Sequence, residues 1–171
     1  DSTRQDVSSV APLAVVLTNY DPLEGRVFRG NLARTGVHAA PGLRTLTGLK
    51  WKFQTGGPVK SSPVVVDDVV YVGSFDSNIY ALSAASGTQV WRHAARGRVW
   101  GSAAVAHGNV YIADEGGWLW ALDALSGACV WSNRITTSAR PAGSPAVAYV
   151  TVFMPCGNNG AGEVVHTTAA S

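Results

Sequence analysis

One stretch of this chain occurs twice. Tyr80–Trp91, YALSAASGTQVW, returns forty residues later as Trp120–Trp131, WALDALSGACVW, and both have the form aromatic-Ala-Leu-x-Ala-x-Ser-Gly-x-x-Val-Trp. Trp51 stands forty residues before Trp91, and laying residues 51–91 over 91–131 without a gap gives fourteen identities. Self-similarity at this period marks a repeat architecture, in which one unit cannot bury its apolar face alone and must stack on its neighbours. That requirement outranks any local propensity.

Each unit parses into four short strands. In the first they are Ser62–Val66, Val69–Ser74, Asn78–Ser83 and Thr88–Ala94, separated by Asp67-Asp68, Phe75–Ser77 and Ala85–Gly87, all rich in residues that suit tight reversals. In the second they are Ser102–Ala106, Asn109–Ala113, Trp118–Asp123 and Ala128–Asn133. Four antiparallel strands per repeat of this length describe a β-propeller blade. A β-sandwich also has short, evenly spaced strands, but it does not require each group of four to resemble the next. The fold class expected is therefore all-β, a propeller of four-stranded antiparallel blades.

Composition agrees and excludes little else. Charged residues are scarce at 14%, hydrophobic residues reach 46% and there are 19 glycines, a mixture that suits a turn-rich β protein and argues against disorder. A net charge of +2 with no basic run does not point to nucleic acid as a partner. The apolar stretch Val10–Leu17 contains Pro12 and is too short to cross a bilayer, so no transmembrane segment is expected. It also lacks a basic n-region, so a signal peptide, if one existed, has been removed. Cys129 and Cys156 are not at metal-ligand spacing and suit two small buried thiols, with a disulfide as the alternative. No metal site is expected.

The domain reading follows. Residues 1–26 form a loosely ordered lead-in and residues 27–171 a partial propeller. In Leu49–Thr55, Leu49, Trp51 and Phe53 alternate with Lys50, Lys52 and Gln54, which reads as a half-buried outer strand over 49–55. Blades then cover 56–94 and 95–133, with an incomplete blade at 134–171. In that third unit Gly143-Ser144-Pro145 answers Ser61-Ser62-Pro63, Phe153 answers Tyr71, and Val165–Ser171 answers Tyr80–Ser86. The total is about three blades' worth of strands, too few for a closed ring of typically 4–8. Either the sequence is a piece of a longer propeller or a second chain closes the ring head to tail; the stop at Ser171, within the repeated motif, favours the first.

These residues resemble the PQQ-like repeat family, the β-propellers named after the quinoprotein dehydrogenases. The match is carried by the tryptophan-docking motif Ala-x-Asp-x-x-(Thr/Ser)-Gly-x-x-x-Trp. Ala121, Asp123, Gly127 and Trp131 fit it fully, while Ala81, Gly87 and Trp91 fit it with Ser83 in place of Asp. The phrases SSPVVVDDVVYVGSFDSNIYAL and, as a lead-in, FRGNLARTG also look like this family. The resemblance implies that each Trp lies flat between blades and donates its indole N–H to a backbone carbonyl of the next one. It also implies an extracytoplasmic location, in the periplasm, cell envelope or secreted.

Two functions are open to such a chain. One is a binding scaffold for a protein partner or anionic small molecule, as in outer-membrane assembly lipoproteins. The other is the N-terminal part of a PQQ-dependent alcohol or polyvinyl-alcohol dehydrogenase. Family dehydrogenases use adjacent cysteines, calcium ligands and an Asp base; none of these maps onto a matching motif, so no cofactor is assignable, and PQQ with calcium is implied only if the whole protein is a quinoprotein. Asp114-Glu115 reads as a solvated turn pair, and His38, His93, His107 and His166 as structural or surface residues. Lys60, Arg98 and Arg140 recur just before the innermost strand of their units, with Trp100 beside Arg98. At a channel mouth they would form a positive rim for an anion such as the tricarboxylate quinone, with Trp100 as a stacking surface. The plainer reading is ordinary surface charge around a packed Trp.

Overall fold

The computed structural model describes residues 48–136, 140–141, 143–149, 151–158 and 161–168. The lead-in at 1–26, the FRGNLARTG phrase and His38 lie outside them. The described chain contains twelve strands and no helix. Strands β1 (Val64–Val66), β2 (Val69–Gly73), β3 (Asn78–Ser83) and β4 (Gln89–Ala94) form one antiparallel sheet in sequence order. Strands β5 (Ala104–Ala106), β6 (Asn109–Ala113), β7 (Trp118–Asp123) and β8 (Cys129–Arg134) form the second in the same order. The third joins β10 (Ala146–Ala148), β11 (Thr151–Asn158) and β12 (Ala161–Thr168), and β9 (Arg140–Pro141) pairs with the far end of β11. The result is an incomplete propeller of three stacked sheets.

The turns explain why the units repeat so closely. Asp67 and Asp68 both have positive φ, 48° and 60°, and so do His107 and Gly108 at 51° and 73°. Two consecutive left-handed residues make the tight hairpin whose twist matches the strands it joins. Gln89 pairs with Leu82 but Trp91 with Ala81, so Val90 is an extra, bulged residue; Val130 is its counterpart between Cys129 and Trp131. The bulge resets the alternation of the outer strand just ahead of the Trp.

Period-two alternation then sorts each sheet into two faces. On the second sheet, Val105, Val110, Ile112, Trp120 and Leu122 pack with Tyr71, Ile79, Ala81 and Trp91 of the first sheet. Its other face presents Ala104, Ala106, Tyr111, Leu119 and Ala121 to Val147, Val152, Met154 and Cys156 of the third. Cys156 is buried there and Cys129 is exposed on β8, and the two form no disulfide. The alignment of the third unit holds in register: Val165 pairs with Met154 as Tyr80 pairs with Val72.

Three expectations need correction. Cys129 is exposed on β8 and is not one of two buried thiols. Residues 49–55 are not a strand. From Trp51 onward burial alternates as expected, but the segment joins no ladder and Leu49 is 80% exposed. Alternation reports which side of a segment is covered, whereas a strand also needs a hydrogen-bonding neighbour, and no described residue supplies one. Asp114, expected in solvent, is 1% exposed. Its carboxylate accepts from the N–H groups of Gly116 and Trp118 through Oδ1, and from Arg96 N–H and the Trp120 indole through Oδ2. Three backbone N–H groups and the Trp120 indole satisfy this carboxylate.

Candidate functional site

Two places in the fold gather the residues singled out from sequence. The first is the contact between sheets. Trp91 on β4 donates its indole N–H to the carbonyl of Ala124 in the second sheet's β7–β8 turn at 2.9 Å, and Trp51 donates to Ala84 in the first sheet's β3–β4 turn at the same distance. Gly87 and Gly127 have φ of +73° and +71°, and a Cβ on them would lie 2.5 and 2.6 Å from the rings of Trp51 and Trp91. Glycine is thus needed twice over, for the backbone and for the ring. Asp123 stiffens its turn by accepting from both the N–H and the hydroxyl of Ser126, which hold its carboxyl below the ordinary range. Ala81 and Ala121 are fully buried beneath these contacts, and Trp131 packs at 6.0 Å from Tyr111.

The Ala124 carbonyl also accepts from the Tyr71 hydroxyl at 3.1 Å. Burial, reinforced by Asp67 and Asp123, pushes the Tyr71 phenol up to about 12 from 10.0. An unfolded tyrosine loses its proton near pH 10 while the folded one keeps it, so between these values the unfolded chain binds fewer protons and stability falls as pH rises. Below pH 10 the contribution is fully present. We expect the unfolding free energy to drop by at most roughly 3 kcal/mol between pH 10 and about 12, and Tyr71→Phe to flatten that slope in denaturant titrations.

The second place is the inner end of the sheets, where the segments entering β1, β5 and β10 come together. Ser62 N–H donates to Ser102 Oγ at 2.8 Å and Ser102 N–H to Ser144 Oγ at 2.9 Å, one serine per sheet. Beside this row lies an open cleft of about 240 Å³ lined by Lys60, Ser62, Trp100, Gly101, Ser102, Gly143 and Ser144. Trp100 is 48% exposed, and its ring packs 4.4 Å from that of Phe75. Lys60 and Trp100 therefore line the same cleft. Arg98 does not line it: its guanidinium lies 4.0 Å from Glu115 and over the Phe75 ring. The Arg140 backbone pairs with Gly157 in the third sheet, and its side chain lies outside the described residues.

As the described residues build it, the cleft offers one cation, one aromatic face and a row of hydroxyls. These groups can receive a carboxylate. Among the described residues, no group of three His, Cys, Asp or Glu side chains is placed to hold a metal ion. His93 and His107 serve contacts between sheets, with His93 Nδ1 at 3.1 Å from the Gly127 carbonyl and His107 Nε2 at 2.9 Å from that of Tyr149.

Comparison with known proteins agrees with this architecture. A search of curated protein sequences finds no significant match. Among solved structures, the chain is similar to the quinohemoprotein alcohol dehydrogenase ADHIIG of Pseudomonas putida HK5, with 29% identity over 64% of this chain and 19% of that one and a TM-score of 0.57. It is similar to BamB of Moraxella catarrhalis at 25% identity over 63% of this chain and 33% of that one, with a TM-score of 0.55. A europium-containing methanol dehydrogenase shares the fold over 86% of this chain and 30% of its own, at 22% identity and a TM-score of 0.72. The chain thus spans a third or less of the length of each. The family model described as outer membrane protein assembly factor BamB matches residues 34–171, most of the chain. With its three stacked sheets and interlocked tryptophans, the chain belongs to this family of PQQ-like β-propellers.

Proposed function

We propose that this chain is part of an extracytoplasmic PQQ-like propeller that acts as a binding scaffold, with the Trp–Gly contacts between sheets as its structural clamps. The observation that carries the reading is the family match over residues 34–171 to a protein described as an assembly factor. The cleft supports it, because Lys60, Trp100 and the serine row are groups able to bind a ligand. Remaining blades complete the ring, supplied by the same polypeptide or by a second chain.

The dehydrogenase reading has one observation of its own, the 29% identity to a quinohemoprotein alcohol dehydrogenase. A direct test separates the two. The purified protein is incubated with PQQ and calcium, then assayed for retained quinone absorbance and alcohol-dependent dye reduction. The scaffold reading expects neither. Turnover, abolished by Lys60→Ala together with Trp100→Ala, would move the protein to the enzymes.

A further inference from the structure

The repeat supplies its own control. What both blades need in order to fold appears in both complete units, at equivalent positions or close by, as with Asp76 and Asp114, and a residue without such a counterpart is a candidate for another purpose. At positions forty residues apart, Gly56, Pro58, Phe75 and Asn78 of the first unit correspond to Arg96, Arg98, Glu115 and Trp118 of the second. Sheet one forms the same four-stranded ladder without them. Yet in the second unit these departures converge on one exposed face. Arg96 lies over Trp118, its guanidinium carbon 3.7 Å from the ring centroid, and Arg98 reaches Glu115 and the Phe75 ring.

The loop that carries both arginines is fixed on either side. Ala95 and Val99 donate to the carbonyls of Ser77 and Ser74 in the first sheet's β2–β3 turn. Glu115 N–H donates to the Arg98 carbonyl, and Arg96 N–H to the buried Asp114. Asp114 is occupied by its four N–H donors, and no described carboxylate pairs with the Arg96 guanidinium. An arginine stacked on an indole keeps its in-plane donors directed outward, pre-organised for a carboxylate. Arginine and tryptophan held this way are the residues that dominate the energy of protein interfaces.

We propose, resting on the scaffold reading, that this face docks an acidic segment of a partner protein. Arg96 on Trp118 receives a carboxylate, and Trp100, half-exposed beside Lys60, anchors a neighbouring apolar side chain. The two spots are separate: the cleft at Lys60 and Trp100 is not lined by Arg96 or Trp118. A small ligand fills one concavity, whereas an extended segment bridges two. Arg98 lies against Glu115, and Asp114 and Asp76 are taken up by donors of their own turns, which leaves Lys60 and Arg96 as the cations suited to an acidic chain.

The test is a fluorescence-anisotropy titration with a labelled peptide of alternating Glu and Leu, beside its Gln-for-Glu counterpart. The Glu peptide should bind more tightly and weaken as salt rises. Arg96→Gly with Trp118→Asn, which gives the second unit the residues of the first, should weaken binding by about tenfold. If that pair lowers the unfolding midpoint, Arg96→Gln alone, which keeps the backbone bond to Asp114, carries the comparison. Equal binding of the Gln peptide, unchanged binding by the variants, or displacement of the peptide by glutarate at similar affinity would each overturn the proposal. Quinone-dependent turnover in the dye assay bears on the scaffold reading alone, and loss of charge selectivity here bears on the docking surface alone.

Discussion

Replacing Trp91 by Ala is expected to lower the unfolding free energy by roughly 3–5 kcal/mol, the range for truncating a large buried aromatic. The ring is 7% exposed, packs in the core between the first two sheets, and donates to Ala124. Its partner Gly127 should be nearly as sensitive for a different reason. Ala there must hold φ near +71° and place Cβ about 2.6 Å from the Trp91 ring. Left-handed strain and overpacking together cost about 2–4 kcal/mol. The decisive observation is the double variant. With Trp91 gone, the added Cβ meets no ring, so Gly127→Ala should then cost only the backbone strain, and the two effects should fall short of their sum by at least ~1 kcal/mol. Urea titrations of the wild type, both singles and the double measure this coupling, and strict additivity would mean that ring and glycine do not act as one contact.

Both members of that contact are legible in the repeat, as are the sheets, their strand order and the register of the third unit. Identical spacing of small, apolar and turn residues imposes identical hairpins. The repeat is silent on partners. Residues 49–55 alternate as a strand does, and the sidedness is real: Trp51 and Phe53 pack against Val72, Tyr80 and Leu82 of the first sheet. The ladder is absent because hydrogen-bonding neighbours are not encoded in a segment's own pattern. Arg98 recurs within two residues of the places of Lys60 and Arg140, yet position alone does not reveal that it lies against Glu115 and not in the cleft. Arg96 escapes notice because its place in the first unit is a glycine, and a search for recurrence discards what occurs once.

Asp114 misleads for a related reason, and its correction leads to the other large expected effect. In the first unit the carboxylate sits two positions later: Ser74 occupies the place of Asp114, and Asp76 that of Gly116. Both carboxylates nevertheless serve the same groups. Asp76 accepts from Gly56 N–H, Asn78 N–H and the Tyr80 hydroxyl, the counterparts of Arg96, Trp118 and Trp120. Burial alone would raise Asp76, but these hydrogen bonds outweigh it and hold the carboxyl below its ordinary value. Its contribution is present above the carboxylate range and is lost as pH falls through the folded value. The turn needs one carboxylate and accepts it from either of two positions.

Asp114→Ser should accordingly cost roughly 2–4 kcal/mol, since it strands the Trp120 indole and the N–H groups of Arg96 and Gly116 near the core. Adding Gly116→Asp should recover at least half of that loss. Gly116 is not among the positive-φ residues, so an Asp fits its backbone. The nearest atom to a new Cβ there is Asp114 Oδ1 at 3.0 Å, which the first substitution removes. The introduced serine would then stand as Ser74 does, a buried residue whose hydroxyl donates to the Gly57 carbonyl. Denaturant titration of the single and double variants measures the recovery, and near-UV circular dichroism of Trp120 reports whether its indole is held again. A double variant no more stable than Asp114→Ser would show that the two turns are not interchangeable, and that the second unit requires its carboxylate at position 114.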